Sequence, residues 1–311
     1  MKRIILSLSL LLVFTISKAE TLLSPDKNFQ LEFSVNDGKL FYSLTYKNSA
    51  VLKRSQLGFV LRNTPALLEG FTLTEVKTTS NDDTWKPVWG EVKEIRNNYN
   101  ELLVQVTQKS ENRSMNIRFR LFNDGLGFRY EFDKQPNLNY FQITDECTQF
   151  ALTGDHKTFW IPGDYDTNEY FYTTTKLSEI DASKVNGNGI GTHGFFAKNA
   201  VQSPLMMKTA EGLYISIFEA ALVDYSAMQL LIDQKNFVLT SSLVPDAVGT
   251  KAYMQTPHHT PWRTVIVSDK AADILASKTI LNLNEPSKIE NTDFIHPQKF
   301  IGIWWGMHVP Q

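Results

Sequence analysis

The sequence predicts a mainly β protein, a large β-super-sandwich of stacked antiparallel sheets. Three observations carry this. Side chains alternate apolar and polar with a period of two over several segments, as strands with one buried face do. Asn-Asp-Gly triplets, which suit tight hairpin turns, punctuate them. Helical periodicity is scarce.

Along the chain, Leu31, Phe33 and Val35 alternate with Gln30, Glu32 and Ser34. Asn36-Asp37-Gly38 turns, and Leu40, Tyr42, Leu44 and Tyr46 alternate again, a hairpin. Met115, Ile117, Phe119 and Leu121 alternate with Asn116, Arg118 and Arg120. Asn123-Asp124-Gly125 then leads into Phe128, Tyr130 and Phe132. Leu213, Ile215 and Ile217 give a further strand after Glu211-Gly212. One helix is predicted from an N-cap at Ser268 to about Thr279, with Ala271, Ile274 and Leu275 on one face. Residues 73–100 and 173–200 read as long polar loops.

The two ends differ from the middle. Lys2 and Arg3 precede an apolar run from Ile4 to Ile16, then Ser17-Lys18-Ala19, the pattern of a secretory signal peptide cut after Ala19. The run falls short of the about 20 apolar residues needed to span a bilayer. The expectation is an exported, periplasmic protein free of the membrane after cleavage. Removing Lys2, Arg3 and Lys18 leaves 28 basic against 33 acidic residues. With no basic block, nucleic acid and anionic membranes are poor partners, and neutral ligands fit the balance better. Cys147, the single cysteine, cannot staple its own chain, so the fold depends on its apolar core. At the other end, Asn282 to His296 forms a polar connector. Phe300-Ile301-Gly302-Ile303-Trp304-Trp305 is apolar on both faces, like a strand covered on both sides. It reads as a buried strand whose pairing partners lie in missing chain.

Few residues carry chemistry by spacing alone. Asp164, Asp166 and Asn168 mimic the first ligands of a calcium loop, but Glu169 stands where glycine is required and Thr175 where the closing acid belongs. A solvated acidic loop between core aromatics remains the other reading. Trp85, Trp89, Trp160, Trp262, Trp304 and Trp305 could stack on sugar rings or fill the core. Asp82 with Asp83, or Glu91 with Glu94, could act as acid and base, but spacing selects neither pair. His258 and His259 are adjacent and would point to opposite faces of a strand, against a zinc site.

Several stretches together resemble the amino-terminal part of glycoside hydrolase family 97, exported α-glycosidases. They are Trp85 to Glu91, Arg118 to Phe132, Phe159 to Tyr172, Thr256 to Arg263 and Leu281 to Pro286. The likeness is nearest to the inverting α-glucosidase branch and covers the whole mature chain. It implies a signal peptide over 1–19, a β-super-sandwich over 20–285, and a linker with the first strand of a truncated (β/α)₈ barrel over 286–311. It implies α-linked oligosaccharides as substrate, with the acid and base in the missing barrel and no catalytic residue in this chain. It also implies a Ca²⁺ ion to which Glu169 contributes a ligand, and sugar contacts from the loop around Asn188 and from Trp304. The reading from another class is a stand-alone carbohydrate-binding sandwich.

Overall fold

The computed structural model describes residues 19–185 and 194–303. Strands dominate it, and every strand pairing is antiparallel. Glu20–Leu23, Phe29–Asn36, Lys39–Tyr46 and Ser49–Leu57 form a meander in chain order. The largest sheet has ten strands. Its middle runs Leu205–Lys208, Tyr214–Ala220, Trp262–Ser268, Gly125–Phe132, Arg113–Phe122. Two smaller sheets complete the body. One joins Ala252–Gln255, Tyr140–Glu146 and Phe59–Leu61; the other joins Gln149–Ala151, Val238–Leu243, Met228–Asp233 and Ala200–Gln202.

The alternation seen in the sequence is what stacks the sheets. Phe33 and Tyr42 point inward from the meander and meet Phe119 and Phe128 of the large sheet, with ring centroids 5.8 Å and 5.0 Å apart for Phe33–Phe119 and Tyr42–Phe128. Phe59 meets Tyr130 edge-on at 4.5 Å. All six rings are essentially inaccessible. The buried phenols keep their hydrogen bonds: Tyr42 donates to the Gln149 carbonyl at 2.8 Å, and the Tyr130 hydroxyl pairs with Thr148 Oγ1 at 2.6 Å. Burial of that apolar area is the main stabilising term, and the paired hydroxyls avoid a desolvation cost.

The first hairpin forms as expected. Asp37 and Gly38 have φ of 51° and 73°, and Asn36 pairs with Lys39 across them. Positive φ at both central positions matches the right-handed strand twist, which is why Asp-Gly stands there. A Cβ at Gly38 would also sit 2.7 Å from the Gly70 nitrogen.

Three expectations change. Residues 73–100 do not form a loop. Phe71–Trp85 and Ile95–Gln108 pair along their length into a ribbon, leaving only 86–94 as its tip. Much of its outer strand is solvated, so the apolar alternation that marks a half-buried strand is missing there; threonines and cross-strand ion pairs hold it instead. Arg96 makes two such bonds to Asp82, each 2.7 Å. The predicted helix is two short pieces, Ala271–Ala276 and Thr279–Asn282. Ser268 ends a strand, Leu275 is exposed, and the extended Ser277 breaks the helix while its hydroxyl donates to Asp124 at 2.6 Å. The stretch 173–200 contains the strand Thr173–Lys176 and two 3₁₀ turns.

Residues 1–18 with the export pattern, Asn188, and Trp304 onward lie outside the described residues. Lys299 to Ile303 takes no strand pairing among the described residues, and Phe300 and Ile301 are exposed. No helix of the described residues is long and apolar enough to cross a membrane.

Candidate functional site

The acidic, aromatic stretch from Ile161 to Tyr172 leaves the strand Lys157–Trp160 and folds back on itself. Its first part is locked into the body. Gly163 donates to the Ala200 carbonyl at 2.9 Å and accepts from the Phe196 nitrogen at 3.0 Å. A Cβ at Gly163 would come within 2.7 Å of both the Ala200 methyl and the Phe196 ring, so a side chain is excluded by close approach. Tyr165 stacks on Phe196, centroids 4.4 Å apart and planes 9° from parallel.

Asp164 ties the loop together. It is 2 % exposed. Oδ1 accepts from the Asp166 backbone N–H at 2.9 Å, and Oδ2 accepts from the Tyr170 hydroxyl at 2.6 Å. Its carbonyl accepts from the Gln229 side chain. Both ends of the arc 166–170 thus hang on one carboxylate. Gln202 Nε2 supports the middle by donating to the Thr167 carbonyl at 2.7 Å. Burial, then the bond to Asp164, pushes the Tyr170 phenol up to about 12.

Glu169 sits on this arc, exposed. Its backbone N–H donates to Thr167 Oγ1 at 3.1 Å, and its carboxylate has no partner among the described residues. Phe171 and Tyr172 beside it are 70 % and 67 % exposed. The loop therefore presents two exposed carboxylates, Asp166 and Glu169, the second flanked by open aromatic rings. A hard cation takes about six to eight oxygens. The described residues contain no group of three or more metal-type side chains. Glu169 fits as a single oxygen ligand of a set completed by other groups, and not as a site on its own.

The other sequence candidates fall elsewhere. Trp160 is core, its indole donating to Thr175 Oγ1 at 3.0 Å. Trp262 is fully buried with the guanidinium carbons of Arg129 and Arg120 4.5 Å and 4.9 Å from its ring centre. Asp82 pairs with Arg96 and Glu94 with Lys86 as solvent-exposed ion pairs, and exposed Glu91 pairs with the half-buried Lys278. Burial and the nearby Asp145 and Glu146 push the Cys147 thiol up to about 11, which suppresses its thiolate. His258 lies 3.8 Å from Asp224.

Two features gave no signal in the sequence. Gln229 reaches Asp164 from a distant strand. Arg263 is enclosed by Glu146 and Glu219, with all three side chains buried.

The fold is a sandwich of antiparallel sheets whose Ile161–Tyr172 loop presents exposed carboxylates and aromatic rings. The profile of the glycosyl-hydrolase 97 N-terminal family matches residues 22–286, and the chain belongs to that family. It is 35 % identical to a glycoside hydrolase family 97 enzyme from Pseudoalteromonas sp. strain K8 solved in complex with acarbose, with a TM-score of 0.81 over 93 % of this chain and 41 % of that one. It is 24 % identical to a retaining alpha-galactosidase of Bacteroides thetaiotaomicron, over 93 % of this chain and 44 % of the relative. A beta-arabinopyranosidase at 20 % identity shares the fold, with a TM-score of 0.67 over 80 % of this chain and 40 % of that one. The chain thus spans less than half the length of the relatives it matches.

Proposed function

We propose that this chain is the sandwich portion of an exported, calcium-dependent α-glycosidase acting on α-linked oligosaccharides, and that it contributes Glu169 as one calcium ligand to an active site built mainly from other residues. The observation that carries this is the Ile161–Tyr172 loop, where buried Asp164 anchors an arc that presents the Glu169 carboxylate beside the open rings of Phe171 and Tyr172. Bound there, the ion would supply fixed positive charge to orient and polarise oxygens near the scissile bond. What this chain's residues do is hold the Glu169 carboxylate outward on a stiff loop beside Phe171 and Tyr172.

The finer reading is an inverting α-glucosidase. The chain is 35 % identical to the Pseudoalteromonas enzyme, which was solved with acarbose and, as an E480Q form, with panose. The more distant retaining alpha-galactosidase supplies the competing reading. In an inverting enzyme one carboxylic acid protonates the leaving oxygen while another carboxylate activates water on the opposite face. Those groups are proposed to lie outside this chain.

The test uses purified residues 20–311. Terbium luminescence, sensitised by the neighbouring tyrosines, should titrate with millimolar metal and be lost in Glu169→Gln. In the longer protein that carries the remaining ligands, Glu169→Gln should weaken Ca²⁺ binding, and an unchanged Ca²⁺ affinity there rules Glu169 out as a ligand. Hydrolysis of p-nitrophenyl α-glucoside and α-galactoside should be absent; Ca²⁺-dependent turnover would show that catalytic groups are present after all. Calorimetry with maltooligosaccharides addresses the stand-alone binding module, which requires a measurable heat of binding.

A further inference from the structure

We propose that the tip of the Phe71–Gln108 ribbon is a docking surface for the connector that leaves the sandwich, gripping residues 282–296 and fixing the path along which the chain departs.

The ribbon and the connector meet at two separate points. At the first, Trp85 Nε1 donates to Asn282 Oδ1 at 2.8 Å, while Asn282 Nδ2 donates to the Arg96 carbonyl at 3.0 Å. Asn282 thereby bridges the two strands of the ribbon, and it is 8 % exposed. Its amide has one acceptor and one donor pair, and both kinds are used. At the second point, Trp89 Nε1 donates to the Ile295 carbonyl at 2.8 Å. Around that bond, Lys86, Pro87 and Val88 face Thr292, Asp293 and His296 across one cleft. The connector is shaped to meet it: Ile295 N–H donates to the Thr292 carbonyl at 2.9 Å, and Asp293 N–H to Asn291 Oδ1 at 2.9 Å.

The chemistry of the two grips differs. Trp89 binds a backbone carbonyl, so it reads the path of the connector and not the identity of residue 295. Trp85 binds a side-chain amide, so it reads the residue and sets the register. The outer strand of the ribbon, Phe71–Trp85, is polar and largely solvated. Both indole N–H groups find their acceptor on the connector, which accounts for tryptophan at both places. The ion pair between half-buried Lys278 and exposed Glu91, at 3.7 Å, adds little. The inference stands apart from the glycosidase reading, because no part of it involves Glu169 or a sugar.

The test is hydrogen exchange of the 283–298 segment and tryptic cleavage after Lys288, measured on the whole chain against a free peptide of residues 283–298. In the native chain both should be slower than in the peptide. Trp85→Phe with Trp89→Phe removes both donors while keeping two rings. Each net hydrogen bond contributes about 0.5–1.5 kcal/mol, so exchange and cleavage should speed by about two- to tenfold per bond at an unchanged melting temperature. Asn282→Ser, which removes the first grip and leaves the Trp89–Ile295 bond, repeats the measurement should the double variant melt lower, and should accelerate exchange and cleavage near the first grip only. A native connector as labile as the free peptide, or unchanged protection in the variants, overturns the proposal.

Discussion

The Arg263 guanidinium is clasped by Glu146 through two parallel hydrogen bonds, Nε to Oε1 at 2.8 Å and Nη2 to Oε2 at 2.7 Å, with both side chains at 0 % exposure. Nη1 takes Glu219 Oε2 at 2.6 Å, and the Tyr225 hydroxyl donates to Glu146 at 3.1 Å. Glu219 also accepts from the Met228 backbone N–H. The group joins the strand Trp262–Ser268 of the large sheet to Tyr140–Glu146 of a small one. Arg263→Met should therefore be severe, because it strands two carboxylates in the core. Breaking such a set costs about 3–5 kcal/mol. Urea unfolding monitored by tryptophan fluorescence measures it; a loss under about 1 kcal/mol would mean the carboxylates find other partners.

The acid limit follows from the same ion pairs. Burial pulls Glu146 up, but Arg263 outweighs it and holds the carboxyl below its ordinary 4.5. Burial pulls Glu131 up as well, but the Arg118 and Arg129 pairs outweigh it and leave its carboxyl below 4.5. Carboxyls with depressed folded values contribute stability that is complete above the unfolded value and is lost as pH falls through the folded one. Glu219 runs the other way: burial outweighs Arg263 and raises it, so its part is present at low pH and lost on the way up. With two lowered groups against one raised, melting temperature should fall as pH drops from about 5 to about 3. Glu131→Gln should flatten that decline, and an identical slope in the variant would count against the assignment.

The legible part of the fold was the part with local cause. Leu40, Tyr42, Leu44 and Tyr46 alternate because one face of their strand is buried, and Asp37-Gly38 turns because its backbone needs positive φ. The Phe71–Trp85 strand was not legible, since its stability comes from pairing with Ile95–Gln108 and not from an apolar face. At the candidate site, Glu169 was nameable, yet what holds it was not. Ala200, Phe196 and Gln229 come from segments that meet the loop only after folding.

Gly163→Ala tests that locking directly. The new methyl would overlap the Ala200 methyl and the Phe196 ring, each 2.7 Å away. Overpacking of this kind costs about 1–3 kcal/mol. The strain falls on the strand Ala200–Gln202 and on the Tyr165–Phe196 stack, so near-ultraviolet circular dichroism should change along with the melting temperature. A variant as stable as the parent would show that the loop can step aside.

The arc from Asp166 to Tyr170 should loosen when Asp164 loses its charge. Asp164→Asn leaves one carbonyl oxygen to serve the Asp166 N–H and the Tyr170 hydroxyl, which now take one oxygen each. The Tyr170 phenol is held at about 12 by burial and by Asp164. With the carboxylate gone it should titrate nearer the ordinary 10.0. A phenol with a raised folded value contributes stability that is present below the unfolded value and is lost as pH rises through the folded one. Parent and variant should therefore differ in alkaline sensitivity between about pH 10 and 12. Carbon-13 tyrosine NMR resolves the single phenol, and hydrogen exchange at Asp166 to Tyr170 reports the arc. If Tyr170 titrates at the same pH in both proteins, Asp164 does not set the geometry from which Glu169 projects.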